Sequence, residues 1–136
     1  MADNLTPEQR SFCMSRVRGR DTGLEKLVRA ELHKRRLKFR TYANGLPGKP
    51  DVVFPPSKVA VFIDGDFWHG YRFPTWQKKV SRFWRLKIGK NRARDRRNFA
   101  KLRRMGWRVV RLWQHQIKRD LDSSVVRIVS AVKTAS

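Results

Sequence analysis

Residues 51–69 are the stretch that leaves the chain least freedom. They read Asp51-Val52-Val53-Phe54, then Pro55-Pro56-Ser57-Lys58, then Val59-Ala60-Val61-Phe62-Ile63, then Asp64-Gly65-Asp66-Phe67-Trp68-His69. Both apolar runs are rich in β-branched residues and suit strands, whereas the Pro-Pro pair turns the chain. The runs therefore predict an antiparallel hairpin closed by a four-residue turn, with Phe54 opposite Val59 and Asp51 opposite Phe62. Side chains alternate along a strand, so counting on by two carries Asp64 and then Asp66 to the face that holds Asp51. Carboxylates would gather at one end of the sheet, beside two aromatics and a histidine.

At 136 residues the chain predicts a single domain with a core of one sheet and helices. Ahead of the hairpin, Thr22 and Glu25 stand at capping-box spacing, and Leu24, Leu27, Val28 and Leu32 recur at helical intervals. Residues 37–42 predict a short strand, and residues 44–50 a loop in which Pro50 holds Lys49 extended. Beyond the hairpin, the pattern predicts a basic helix over 78–86 with Phe83 and Trp84, then a break at Gly89. A second helix starts at Asn91 and reaches Met105, with Phe99, Leu102 and Met105 inward. Gly106 closes it, residues 107–113 alternate as a half-buried strand, and Ser123 or Ser124 opens a last helix with Val125, Ile128, Val129 and Val132 inward. This order predicts an α/β or α+β fold in which helices flank a mixed β-sheet. Residues 1–20 form a basic N-terminal arm with a helix start at Thr6-Pro7, which either covers the core or lies in a groove; residues 21–136 form the body.

Each group at the strand end has a packing reading and a chemical one. Close carboxylates repel unless a cation joins them, and either Arg side chains or a hard ion such as Mg²⁺ would serve. Facing a phosphodiester, such an ion would activate water and stabilise the departing oxygen. Phe67-Trp68 suits core packing or insertion into a base stack. His69 suits a structural hydrogen bond or general acid–base work near neutral pH, and Glu25 suits helix capping or catalysis.

The formal charge of +22, from 33 Lys and Arg against 11 Asp and Glu, points to a polyanionic partner, because each neutralised phosphate releases counterions. Five Trp and eight Phe exceed the needs of a basic packaging protein and suggest stacking on bases. A single cysteine, Cys13, provides neither a disulfide framework nor a cysteine-based zinc site. No apolar run approaches the roughly 20 residues of a membrane span, and Met1-Ala2-Asp3-Asn4 does not open a signal peptide. The expected location is the cytoplasm, at the bacterial nucleoid.

Several motifs then occur in a fixed order. They are Arg20-Asp21-Thr22 with Glu25; Leu46-Pro47-Gly48-Lys49-Pro50-Asp51; Gly65 with Phe67-Trp68-His69; Phe83-Trp84 with Lys87-Ile88-Gly89-Lys90-Asn91; Arg94-Asp95-Arg96-Arg97; and Gly106-Trp107-Arg108-Val109 through Trp113. Over residues 8–120 the chain resembles the very short patch repair (Vsr) DNA mismatch endonucleases, which have the restriction-endonuclease-like fold of the PD-(D/E)xK nucleases. The resemblance implies a Mg²⁺-dependent nick, with Mn²⁺ as substitute, beside the thymine of a T:G mismatch left by deaminated 5-methylcytosine. It makes Asp51 the principal metal carboxylate, the backbone carbonyl of Ile63 a second ligand, Glu25 the holder of metal-bound water and His69 the acid–base partner. Phe67, Trp68 and Trp84 match the aromatics that the family inserts at the mismatch, and Met14 sits where its arm enters the minor groove. Lys87, Lys90, Asn91, Arg94 and Arg97 are the expected DNA contacts. The implied partners are double-stranded DNA carrying a T:G mismatch, mismatch-repair proteins and a cognate cytosine methyltransferase, for a monomer that needs no membrane.

The chain departs from the family pattern twice. Its best-studied members have a histidine at the position of Asp64, so Asp64 is expected to add a catalytic, metal-binding carboxylate. They also carry a structural zinc on three cysteines and a histidine; the matching positions here are Asp66, Tyr71, Phe73 and His115, so no zinc is expected and packing by Tyr71 and Phe73 replaces it. Two other readings stay open. One is a restriction-type or structure-specific nuclease of the same fold that cuts both strands, which Asp64 favours by restoring a two-carboxylate site. The other is a non-catalytic DNA-binding module that works through the Arg-rich helix alone.

Overall fold

The strand that follows the Pro-Pro turn is buried at every position, and the rest of the chain is arranged to cover it on both faces. In the computed structural model, which describes residues 23–43 and 45–135, the elements run α1 (Gly23–Lys34), β1 (Arg40–Thr41), β2 (Val52–Phe54), β3 (Val59–Asp64), α2 (Phe73–Trp76), α3 (Arg82–Arg104), β4 (Arg108–Trp113), α4 (Gln114–Arg119) and α5 (Leu121–Ala135). Cys13, Met14 and the remainder of the expected arm lie outside the described residues, as does Thr22 of the capping box.

The sheet order is β1-β2-β3-β4; the first two pairings are antiparallel and β3 with β4 is parallel. Phe54 pairs with Val59, as the turn length predicts, through a 3₁₀ turn at Pro55–Ser57 and a left-handed Lys58. Val59, Val61 and Ile63 pack with Val28 and Leu32 of α1, Val110 and Leu112 of β4, and Val125 and Ile128 of α5. Ala60 and Phe62 point the other way, onto Phe99 and Leu102 of α3. A strand covered on both faces reads as an unbroken apolar run, and each buried Val or Leu contributes roughly 1.5–3 kcal/mol. The functional consequence is directional: Asp64 is the next residue in the Ala60–Phe62 row and faces α3.

Several local expectations give way to tertiary packing. The two expected helices around Gly89 are one helix of 23 residues. Ile88, Asn91, Asp95, Phe99 and Leu102 recur at intervals of three and four and keep one buried stripe running past the glycine. Gly inside a helix costs about 1 kcal/mol against Ala, less than such a stripe contributes. Asn91 is therefore in the helix interior and caps nothing; Ser81 is the cap, its hydroxyl accepting from the Trp84 N–H at 3.4 Å. Met105 lies beyond the helix and is exposed, because the chain turns at Gly106 into β4. Leu27 is exposed, and the buried face of α1 is Glu25, Val28 and Leu32. Only Arg40–Thr41 of the first expected strand pairs, while Leu37 and Phe39 pack on the core.

Two further corrections concern turns. Lys49 is left-handed at φ 53° rather than extended, because its N–H closes a turn to the Leu46 carbonyl at 3.0 Å. The last helix begins at Leu121, ahead of the serines. Asp120 accepts from the Ser123 N–H at 3.0 Å and the Ser123 hydroxyl at 2.7 Å, which makes it the cap. Those bonds, the backbone one foremost, hold the Asp120 carboxyl below its ordinary range. Among the described residues no helix is long and apolar enough to cross a membrane.

Candidate active site

Three elements aim polar side chains into the space between the end of β3 and α3. Asp64 ends β3; Arg111 comes from β4, whose parallel register sets it beside Phe62; Asp95 comes from α3, one turn before Phe99. The turn after β3 supplies His69, whose N–H is held by the Gly65 carbonyl at 3.1 Å. These four side chains form a closed ring. Arg111 Nε donates to Asp64 Oδ2 and its Nη2 to Asp95 Oδ2, both at 2.8 Å. His69 Nδ1 lies 2.7 Å from Asp95 Oδ2, and its Nε2 lies 3.4 Å from Asp64 Oδ1. Asp64, His69 and Asp95 are all buried. Burying charges in this way is tolerated only when they are paired and hydrogen-bonded, and among the described residues no buried side-chain nitrogen or oxygen lacks a partner.

Burial alone would raise the Asp95 carboxyl, but the His69 hydrogen bond and the charges of His69, Arg111 and Arg94 outweigh it and hold it below its usual range. A carboxyl depressed in the folded state contributes stability above its unfolded value, and that contribution is lost as pH falls through the lowered folded value. The stability gap between the parent protein and Asp95→Asn is therefore expected to be widest at about pH 6 and to narrow as acid is added below about pH 4. Urea unfolding of both proteins across that range checks it; a gap independent of pH would count against the ring as a charged network.

Asp51 reaches the same place from β2. Its Oδ2 accepts from the Ile63 N–H at 2.7 Å, and its own N–H donates to the Val61 carbonyl at 2.9 Å. A residue's N–H and C=O point to one edge of an extended strand, so the Ile63 carbonyl also faces the Asp51 side. Asp51, Asp64, His69 and Asp95 line one cavity of about 370 Å³, with Lys49 and Arg94 at its wall. Asp64, His69 and Asp95 bring ligand atoms within 4.8 Å of one another, a buried group able to bind a metal ion. A carboxylate and a backbone carbonyl suit a hard divalent cation, so Asp51 and the Ile63 carbonyl fit one, whereas Asp64 and Asp95 are already bridged by Arg111.

Other sequence-predicted residues fall elsewhere. Asp66 does not join the Asp51 face, because β3 stops at Asp64 and the alternation stops with it. Asp66 instead meets His115 Nδ1 at 2.7 Å, and the Tyr71 ring lies 4.4 Å from the His115 ring. Phe73 is buried with Phe67, Val80 and Ile88. Glu25 is 1% exposed on α1, with Oε2 3.8 Å from Arg29 Nη1, and is not part of the cavity wall. Phe67 is buried and stacks on Trp76 at 5.4 Å. Trp68 and Trp84 are partly buried, their rings 6.2 Å apart, with Lys87 Nζ 5.6 Å from the Trp68 ring. Asn91 is buried and donates to the Trp68 carbonyl at 3.0 Å.

Lys87, Lys90, Arg94 and Arg97 are all exposed on α3, and Lys101 and Arg104 continue their three-and-four rhythm. This cationic stripe runs alongside the buried one, and Arg94 brings it to the cavity mouth. Sequence reasoning assigned no role to Asp95 or Arg111, although each carries a signal. Asp95 is a lone acid in a basic run four residues before Phe99, and Arg111 interrupts the apolar sequence between Val110 and Leu112. It named Phe83 without giving it a role and passed over Leu86; the two are exposed by 58% and 54% at the start of α3.

The family model for DNA mismatch endonuclease Vsr matches residues 2–75. The type II nicking enzyme V.XorIIP of Xanthomonas oryzae pv. oryzae is 42% identical over 130 residues, covering 94% of this chain and 95% of the relative. The DNA mismatch endonuclease Vsr of Escherichia coli K12 is 38% identical over 116 residues, covering 84% of this chain and 74% of the relative. The type II nicking enzyme V.NmeDIP of Neisseria meningitidis serogroup C is 33% identical over 137 residues, covering 96% and 90%. A family match over more than half of the chain, relatives aligned along nearly all of it, and the α/β fold together show that the chain belongs to the Vsr DNA mismatch endonuclease family and is a DNA endonuclease.

Proposed function

We propose that the protein is a Mg²⁺-dependent endonuclease that nicks one strand of duplex DNA beside the thymine of a T:G mismatch. The observation that carries this reading is the cavity itself: Asp51, Asp64, Asp95 and His69 converge in it, and Arg94 of the cationic stripe lines it. In that site Asp51 and the Ile63 carbonyl would hold the ion. When bound, a divalent cation lowers the pKa of water and neutralises charge that develops on the phosphodiester. His69, fixed at Nδ1 by Asp95, carries the proton to or from the reacting oxygens. Lys87, Lys90, Arg94 and Arg97 hold the phosphate backbone, and helix α3, about 34 Å long at 1.5 Å per residue, spans roughly one turn of duplex.

Trp68 and Trp84 form the wedge at the mismatch, Phe67 supports it from beneath, and Asn91 fixes it through the Trp68 carbonyl. The names of the relatives, nicking enzymes and a mismatch endonuclease, support a single-strand cut directed by a mismatch. A two-carboxylate metal site of the kind expected for double-strand cleavage is disfavoured by the Arg111 guanidinium bonded to Asp64.

Strand-labelled duplexes test the reading directly. With Mg²⁺, a T:G duplex is expected to be cut only in the strand carrying T, and chelation is expected to stop cleavage. Matched duplexes should be cut at least about a hundredfold more slowly, the discrimination that roughly 3 kcal/mol at one base pair provides. Equal cutting of matched or branched DNA, or breaks in both strands, would move the assignment to a restriction-type or structure-specific nuclease.

A further inference from the structure

The Asp64–Arg111–Asp95–His69 ring is more than the metal-dependent reading asks for, and it contains a cation of its own. We infer that Arg111 is the resident cation of the acidic inner half of the site, so that no divalent ion binds between Asp64 and Asp95, and Asp64 is a positioning residue rather than a metal ligand. The inference rests on the proposed metal-dependent cleavage and deepens it by naming which carboxylate takes no ion and why.

Three observations support it. Arg111 bridges both buried carboxylates with separate nitrogens at 2.8 Å, which uses the planar fork that a guanidinium has and an ammonium lacks. The guanidinium is held from two sides, 4.1 Å from the Trp113 ring centre on its own strand and 4.9 Å from the Phe99 ring centre on α3, so it is built into the fold. Asp64 is also approached on its other oxygen, 3.4 Å from His69 Nε2, so each of its oxygens faces a nitrogen. An ion drawn to Asp64 and Asp95 would sit within about 5 Å of a permanent positive charge. At an effective dielectric near 20 that repulsion weakens its binding by at least about a hundredfold.

Arg111 thus does for Asp64 and Asp95 what a second ion would do in a site built of carboxylates alone. It cancels their repulsion and fixes their directions, and through Asp95 it fixes the imidazole of His69. The Asp51 carboxylate takes no part in the Arg111 bridge, whose two bonds go to Asp64 and Asp95.

Mn²⁺ titration of the full chain, read by electron paramagnetic resonance and by the shift in thermal unfolding, tests this without any cleavage assay. Asp64→Asn is expected to bind Mn²⁺ with the parent's stoichiometry and affinity. Arg111→Gln is expected to gain an additional ion or to bind Mn²⁺ at least about tenfold more tightly, and to unfold earlier than the parent without metal but recover when Mn²⁺ is added. The double variant Asp64→Asn with Arg111→Gln should lose that extra binding and unfold closer to the parent than Arg111→Gln does. If Arg111→Gln does not fold, Asp64→Asn alone decides: unchanged Mn²⁺ affinity supports the inference, and loss of the ion overturns it. Arg111→Gln with the parent's stoichiometry and affinity also overturns it while leaving metal-dependent cleavage intact. A parent that binds no divalent ion defeats both this inference and the functional reading beneath it.

Discussion

Asp51→Ala is expected to lower the nicking rate by at least about 10³-fold while duplex affinity changes by no more than a few-fold. Loss of a metal's charge stabilisation removes several kcal/mol from the transition state, and each 1.36 kcal/mol is tenfold in rate. Binding is expected to survive because the cations proposed to face phosphate lie on α3, whereas Asp51 lies at the head of β2 and accepts from the Ile63 N–H at 2.7 Å. The same bond makes Ala an imperfect probe, since removing the acceptor leaves that N–H unsatisfied at a cost of about 1–3 kcal/mol. Asp51→Asn separates the two effects: its side-chain carbonyl can keep the bond while the charge that attracts the ion is gone. Single-turnover nicking, duplex binding by anisotropy and thermal unfolding of both variants would be measured together. Asp51→Asn cutting within tenfold of the parent would remove Asp51 from the centre of the mechanism.

How far the site could be read in advance follows from the range of the forces that set it. The hairpin was legible because β-branched runs and a Pro-Pro turn are local signals, and the pairing of Phe54 with Val59 then placed Asp51 and Asp64 on one face by period alone. The same counting failed at Asp66, two residues on, because a period holds only while the strand does. Gly89 misled for a related reason: its local cost is real, but the stripe from Ile88 to Leu102 sums over many residues and overrides it. Asn91 looked like a cap for the same local reason, and burial has instead turned its amide toward the Trp68 carbonyl.

Arg111 could not be assigned at all from spacing. Its partners are 47 and 16 residues away, on another strand and on a helix, and only the parallel pairing of β3 with β4 brings them within reach. The motifs that carried the family resemblance pointed to the right neighbourhood. They did not say that the acid inside one of them, Asp95, closes a ring with a strand arginine outside the cavity wall.

Gly70→Ala is expected to cost roughly 2–4 kcal/mol of stability and to lower activity further than that loss of folded protein explains. Gly70 has φ +71°, where a side chain costs about 1–2 kcal/mol, and a Cβ built there would lie 2.7 Å from Arg92 Cδ and 2.8 Å from Ile88 Cγ2. Arg92 is long and can swing away. Ile88 is branched, fully buried and packed against Phe67 and Phe73, so the overlap on that side is overpacking, worth about 1–3 kcal/mol. The strain has one easy outlet, the turn of residues 65–70, and that turn carries His69. A displacement of about 1 Å would stretch the 2.7 Å contact between His69 and Asp95, and misplacement of that size costs on the order of a hundredfold in rate. Gly89→Ala is the internal control: it sits inside α3 with nothing among the described residues within 4 Å of a built Cβ, and it should stabilise the protein by about 0.5–1 kcal/mol. Chemical denaturation of both variants, with single-turnover nicking measured under conditions where each remains folded, reads the two effects separately. A Gly70→Ala protein as stable and active as the parent would show that the turn holding His69 is not held rigid from α3.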